Sequence, residues 1–286
     1  MTPIDNLVQE YVERKAMQRV PLEGEIVFEN VSYSYTSFGQ SIQALNDISF
    51  TVRPGETIGI IGETGSGKSS LGELIPRLDD PSVGRILMDG RDLRTYPLEE
   101  LRRSIGVVTQ EVFLFSDTVE GNIAFVDPKM TDERVRESAQ IAVADDFIQK
   151  MEDGYATVVG ERGVGLSGGQ RQRISLARAI AGDPAVLILD DTTSAVDMNT
   201  DTEIRENLQK HMHDKTVFII AQRISSIRNA DLILVMEKGQ IRERGTHDEL
   251  VALGGIYTSI YETQVGDQEE ALAILREREE RRRSDG

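Results

Sequence analysis

The sequence predicts an α/β fold, a mostly parallel sheet with helical cover, on three observations. Thr57–Ile61, Ala185–Leu189 and Thr216–Ala221 are continuous apolar runs with no polar alternation, as in strands buried on both faces. Helical patterns separate them, and strands that alternate with helices build parallel sheets. Gly62-Glu-Thr-Gly-Ser-Gly-Lys-Ser69 then supplies a strand–loop–helix junction with the spacing Gly, four free residues, Gly, Lys, Ser.

That junction organises the rest. Glycines let the backbone bend until successive N–H groups point at one anion, and the helix start adds positive potential. Gly62, Glu63, Thr64, Gly65, Ser66 and Gly67 form the cradle, with Lys68, Ser69 and Ser70 opening the helix. Lys68 is placed for the β- and γ-phosphates of a nucleotide, and the Ser69 hydroxyl for Mg²⁺. The plainer alternative is a glycine-rich turn before a helix.

Taken in order, residues 1–20 pattern as a connector helix, with Thr2-Pro3 as a start and Ile4, Leu7, Val8, Tyr11 and Val12 on one face. It could equally be a tail helix on its own domain. Pro21–Gly24 breaks the pattern, so the main domain is set at residues 24–264. Strands follow at Glu25–Val31 and Ile48–Val52, the second ending in the turn Arg53-Pro-Gly55. Tyr35, expected near the start of a loop, could stack on a purine or serve as a strand aromatic.

Beyond the glycine-rich loop, strands are expected at Arg85–Met88 and Ile105–Thr109, with a helix around Leu98–Arg103 between them. Gln110 closes the second strand, at the carboxyl edge where doubly wound sheets bind ligands. Thr118–Lys150 is helix-rich, with a capped start at Thr131. A flexible lead at Gly160–Gly165 precedes Leu166-Ser-Gly-Gly-Gln170 and a long helix through Ala181. Asp190 and Asp191 end the Ala185–Leu189 strand. Asp190 can hold Mg²⁺ directly or through water, and Asp191 stands where a water-polarising carboxylate belongs, although two acids there could also cap a helix. Thr192–Asp197 reads as a loop, Thr202–His211 as a helix, and Gln222 ends the next strand. A hairpin around Lys238-Gly239 and two short helices complete the domain. The tail from Asp267 carries a mixed Arg/Glu run, a solvated helix or frayed end.

Composition narrows the function classes. With 49 Asp and Glu against 32 Lys and Arg, the net charge is −17, which argues against nucleic acid or anionic lipid as the main partner. The absence of cysteine excludes disulfide and thiolate chemistry and suits a reduced, cytosolic chain. No apolar run approaches the ~18 residues of a bilayer span, so a membrane role needs another polypeptide or segment to do the crossing. His211-Met-His213 reads as a helix end and not as a metal pair.

The ordered set Tyr35, Gly62–Ser69, Gln110, Leu166–Gln170, Leu187–Asp190, Ser194–Asp197 and Gln222 resembles the nucleotide-binding domain of an ATP-binding cassette (ABC) transporter of exporter type. The resemblance covers about residues 24–264. It implies a P-loop NTPase fold with a RecA-like core, an antiparallel β subdomain and a helical signature subdomain near residues 115–182. It implies ATP and Mg²⁺ as cofactors, a transmembrane domain as partner, and a place on the cytoplasmic face of the membrane. Tyr35 would stack on adenine, and Gln110 would couple nucleotide state to the membrane subunit. Ser167, Gly168 and Gly169 would clamp the γ-phosphate of ATP bound to a second such domain, with Asp197 across the interface. Gly160–Gly163 is similar to the stretch that exporters set beside their membrane domains.

Two positions depart from the family's pattern. Asp191 stands where Glu is usual, and Gln222 where His is usual. A side chain one methylene shorter withdraws the carboxylate by roughly 1 Å, a misplacement that can cost about a hundredfold in rate. Gln222 can donate a hydrogen bond but cannot change charge. Together they suggest a site that binds ATP and hydrolyses it slowly, like the degenerate half of a heterodimeric exporter. The alternative is a non-hydrolytic, ATP-gated dimerisation module. A chromosome or repair ATPase is disfavoured, because the chain between Lys68 and Leu166 is too short for a long coiled coil. A small GTPase is disfavoured because no Asn-Lys-x-Asp element occurs.

Overall fold

The computed structural model describes residues 22–37, 39–160, 165–191 and 196–266. Its centre is a six-stranded sheet. The strands are β3 (Thr57–Gly62), β6 (Ile105–Val108), β9 (Val186–Asp190), β10 (Thr216–Ile220), β11 (Leu232–Glu237) and β12 (Gln240–Gly245), in the order β12-β11-β3-β10-β9-β6. All neighbours run parallel except β11 and β12, which form a hairpin. A second, antiparallel sheet orders β2 (Gln40–Val52), β1 (Ile26–Ser37), β4 (Val83–Met88) and β5 (Arg91–Asp92).

The central strands are apolar throughout because both faces are covered. Along β9, Ile188 points into one core with Phe28, Leu71 and Phe218, while Leu187 and Leu189 enter another with Val119, Ile174 and Leu208. Two packed faces leave no position for a polar alternate, which is why the run reads Val-Leu-Ile-Leu. A third core joins Ile61, Ile233, Leu250 and Tyr257. Phe218, fully buried at the sheet centre, bears on both neighbouring strands. Phe218→Ala should cost about 3–5 kcal/mol, read as a lowered urea midpoint at unchanged slope.

Helices supply the cover. They are α1 (Lys68–Leu74), α2 (Leu98–Arg103), α3 (Val119–Ile123), α4 (Asp132–Ile141), α5 (Asp145–Gln149), α6 (Gly168–Ala181), α7 (Met198–His211), α8 (Ile224–Ile227), α9 (His247–Leu253) and α10 (residues 256–266). A two-residue ribbon of β7 (Asp117–Thr118) and β8 (Val158–Val159) lies at the start of α3, whose Val119 N–H donates to the Thr157 carbonyl. The expected cap at Thr131 is present, its hydroxyl accepting from the Arg134 N–H.

The structure lengthens several expected elements. β1 runs on through Tyr33 and Tyr35, and β2 begins at Gln40, well before Ile48. Register shifts after Phe28, Val31 and Tyr33 break the period-two pattern there, so the alternation lapses while the pairing continues. β4 starts at Val83, two residues before Arg85. α7 starts four residues before Thr202, because Asp197 caps it by accepting from the Thr200 N–H and hydroxyl. The connector helix at 1–20, Glu161–Val164, Thr192–Ala195 and the tail from Asp267 lie outside the described residues.

Candidate functional site

The glycine-rich loop follows β3, whose Ile58, Ile60 and Ile61 are buried between β10 and β11. At the loop's end Gly67 takes φ +102°, and a Cβ there would lie 2.5 Å from the Ala44 carbonyl. Only glycine admits both the left-handed turn and that close approach. The chain re-enters helix at Lys68, and the first N–H groups of α1 have no partner within the helix. Ser66 is buried, and its carbonyl accepts from the Gly239 N–H at 3.0 Å, while the Gly239 carbonyl accepts from Asn46. The β11–β12 turn therefore braces the loop from behind. In sequence Lys238-Gly239 marks only a hairpin turn, since nothing local encodes so distant a contact.

The Lys68 ammonium lies across the loop, donating to the carbonyls of Gly62 and Glu63 at 2.8 Å each. Burial pulls its pKa down, against the pull of Asp190 and Asp191. Asp190 sits where β9 ends and is hydrogen-bonded to the Ser69 side chain. Burial first, then the charges of Asp191 and Glu73, hold the Asp190 carboxyl above the usual carboxylate range, with Lys68 and Ser69 opposing. For both partners burial outweighs mutual attraction. The two charges are held ready at a cost to the protein.

A serine hydroxyl and one carboxylate side by side are hard oxygen donors. They fit Mg²⁺, which keeps waters and takes its remaining ligands from phosphates. Among the described residues no cluster of three or more His, Cys, Asp or Glu offers an alternative all-protein site.

The raised carboxyl has a consequence for stability. The folded chain holds that proton more tightly than the unfolded chain does. Stability from this group therefore falls as pH rises from the ordinary carboxylate value through the raised one. At pH 7, Asp190→Asn should leave the melting temperature equal or higher, while lowering Mg²⁺-dependent ATP affinity about tenfold or more. Scanning calorimetry and a nucleotide titration separate the two effects.

Asp191 adopts φ +46°, and its N–H donates to the Ile220 carbonyl at 2.8 Å, tying the end of β9 to that of β10. Gln222, exposed, follows β10 by two residues. Gln264 from α10 brackets this turn, donating to the Gln222 carbonyl and accepting from the Ile224 N–H. The sequence carries no local sign of that bracket. Lys68, Ser69, Asp190 and Asp191 thus share one corner of the sheet edge. Gln222 stands at the end of the strand beside it.

Gln110 is exposed two residues past β6. Beyond it Arg178 of α6 donates to the carbonyls of Phe113 and Asn122 and to the Asn122 side chain. Its guanidinium lies over the rings of Phe115 and Phe125, which stack at 4.3 Å. Burial pushes the Arg178 pKa down to about 10. The post-Gln110 segment and α6 are therefore joined through Arg178, and Phe113, Phe125 and Val126 are exposed to solvent.

Leu166–Gln170 opens α6. Ser167 and Gln170 form a capping box, side chain to backbone in both directions. Ser167 is exposed and Gly168 and Gly169 half-buried, so the helix start faces outward. Among the described residues this segment has no hydrogen bond to the chain's own phosphate loop. Asp197 is exposed at the α7 start, and hydrogen bonds from Thr200 hold its carboxyl below the usual range. Tyr35 is 41% exposed and pairs in register with the equally exposed Ile42, on the hairpin whose Ala44 abuts Gly67.

A glycine-rich loop closed by a lysine, with a strand-end carboxylate on the first helix's serine, defines a P-loop nucleotide-binding protein. Residues 45–194 match the family described as ABC transporter, and the chain belongs to that family. It is similar to the "Uncharacterized ABC transporter ATP-binding protein YknU" of Bacillus subtilis, at 49% identity over 252 residues, 88% of this chain and 43% of that protein. It is 45% identical over 249 residues to the "Putative multidrug export ATP-binding/permease protein YgaD" of the same organism, covering 87% of this chain and 43% of that one. Among solved structures, an ATP-bound bacterial Atm1-family ABC exporter superposes with a TM-score of 0.81 at 35% identity, covering 86% of this chain and 42% of that chain. The chain is an ABC-type ATP-binding domain homologous to exporter ATP-binding/permease proteins, and it spans less than half the length of these relatives. No helix among the described residues is long and apolar enough to cross a membrane.

Proposed function

We propose that the chain is the ATP-binding unit of an exporter, binding Mg²⁺–ATP and pairing head-to-tail with a second such unit while cleaving its own nucleotide slowly. The observation that carries this is the contrast within one corner. Lys68, Ser69 and Asp190 are assembled for a metal-bound triphosphate, whereas Asp191 and Gln222 offer a short carboxylate and an uncharged amide. Positioning of the attacking water is what phosphoryl transfer asks of the protein beyond its phosphate and metal contacts. The carboxylate here is short for that task.

Each role then follows. Gly62–Lys68 and Ser70 hold the phosphates, Ser69 and Asp190 the metal with Gln110 near it, and Tyr35 stacks on adenine. Leu166–Gln170 face outward from a capped helix start, as donors to a phosphate held by another subunit must. Asp197 lies between the paired units. The exposed Phe113, Phe125 and Val126, fixed to α6 through Arg178, form the apolar face on which a transmembrane partner docks, at the cytoplasmic side. In this reading residues 1–23 connect to that partner, 24–264 form the ATP-binding domain with its helical part near 115–182, and the remainder is a charged tail. A heterodimer is favoured, the partner supplying the competent catalytic pair and receiving this chain's intact signature loop.

The same two positions also support a second reading, in which ATP serves only to close the dimer. Turnover measured alone and with a candidate partner decides between them. Acceleration on mixing supports the heterodimer, and dimerisation without acceleration supports the gated module. Solitary turnover as fast as that of the Asp191→Glu, Gln222→His double variant contradicts both.

A further inference from the structure

The helix that follows position 222 does not cap itself. α8 is one turn long, and Arg223 before it provides no side-chain hydrogen bond to its first N–H groups. The Ile224 N–H donates instead to Gln264 Oε1 at 2.9 Å, while Gln264 Nε2 donates to the Gln222 carbonyl at 2.8 Å. One side-chain amide therefore grips the main chain on both sides of Arg223, from a helix 42 residues beyond Gln222.

Gln264 is itself held in place. Along α10, Tyr257, Ile260, Tyr261 and Gln264 recur at helical spacing on one face. Tyr257 is fully buried in the third core, against which Ile260 and Tyr261 also pack. The Tyr257 hydroxyl lies 2.8 Å from His247 Nδ1, and the His247 ring meets Tyr261 edge-on. At the helix start, the Ile256 and Tyr257 N–H groups donate to the Glu243 carboxylate of β12. The helix is thus pinned to β12 and α9 before it reaches position 264. There an amide ends the stripe, and both its polar atoms are spent on the turn at 222–224.

We propose that Gln264 is a positioning residue for ATP cleavage, fixing the backbone at 222–224 and with it the place of the side chain at 222. The proposal deepens the ATP reading and rests on position 222 facing the γ-phosphate. The Ala221 N–H still donates to the Ile60 carbonyl of the sheet, but Gln222 and Arg223 beyond it are exposed. The two bonds from Gln264 hold the chain where the sheet lets go. A shift of about 1 Å in a positioned group can cost about a hundredfold in rate, so this hold bears on turnover. Neither bond reaches Lys68, Ser69 or Asp190, so its loss leaves the phosphate and metal contacts as they are.

The test places two substitutions in the full 286-residue chain. Gln264→Met keeps the length of the side chain and loses both bonds. Gln264→Glu keeps an acceptor for the Ile224 N–H and loses the donor to residue 222. In single turnovers run well below the melting temperature, both should slow cleavage about tenfold or more while ATP affinity stays within about threefold. Gln264→Glu should do so with a melting temperature near that of the unaltered chain, a split that a purely structural role does not produce. Should Gln264→Met not fold, Gln264→Glu carries the comparison. Unchanged cleavage, or a loss of ATP affinity large enough to account for the slower rate, would overturn the proposal. Gln222→Ala in the same assay separates the two possible failures. If it slows cleavage and the Gln264 variants do not, the positioning proposal alone fails. If Gln222→Ala leaves cleavage unchanged, the reading of position 222 fails and takes the proposal with it.

Discussion

Exchanging Asp191 for Glu and Gln222 for His together should raise ATP turnover about a hundredfold. If position 191 orients the attacking water as proposed, the glutamate restores roughly 1 Å of reach toward it. If position 222 faces the γ-phosphate, the histidine supplies a group there able to carry charge. Neither change touches Lys68, Ser69 or Asp190, so ATP affinity should stay within about threefold while the catalytic constant climbs. The gain has a structural counterweight. Asp191 sits at φ +46°, a left-handed conformation that Asp tolerates better than Glu. The double replacement should therefore melt slightly lower, by the equivalent of about 1 kcal/mol. A faster yet less stable protein is the expected signature, read by phosphate release and by calorimetry on the same preparation. Unchanged turnover would place the defect outside these two positions.

Lys68→Ala should reduce ATP affinity by roughly a hundredfold or more. An ammonium that exchanges two loop carbonyls for phosphate oxygens forms charge-assisted bonds worth about 1.5–3 kcal/mol each. The fold should barely register the loss. The carbonyls of Gly62 and Glu63 lie at an open loop where water replaces the ammonium, and the lysine's burial already works against its charge. Equilibrium titration with ATP and Mg²⁺ alongside a thermal melt separates the outcomes. Loss of binding with an unchanged melt supports a phosphate contact, whereas a collapsed melt would mean that Lys68 is structural.

Much of this site was legible because its chemistry is local in sequence. A strand, a glycine turn and a helix start must be contiguous to cradle phosphate, so Gly62–Ser69 announced itself. The place of Asp190 at a strand end is equally plain, since the apolar run before it fixes where β9 stops. The double-sided burial of Val186–Leu189 also made the parallel sheet legible. The hairpin of β1 and β2 runs longer than its sequence pattern indicates because bulges break the alternation. The early start of α7 is not legible because an Asp at position 197 carries no sign in sequence that it caps a helix beginning at Met198.

What stayed hidden was long-range. Gly239 bracing Ser66, Gln264 bracketing Gln222, and Arg178 locking the segment after Gln110 onto α6 all join residues far apart in the chain. No periodicity or local spacing records such contacts.

The most direct measurement titrates the chain with ATP and Mg²⁺ in a calorimeter, then follows radiolabelled nucleotide in a single turnover on the same sample. The account predicts one saturable site per chain and cleavage about a hundredfold slower than in the Asp191→Glu, Gln222→His protein. Absence of binding, or cleavage as rapid as in that double variant, would contradict it.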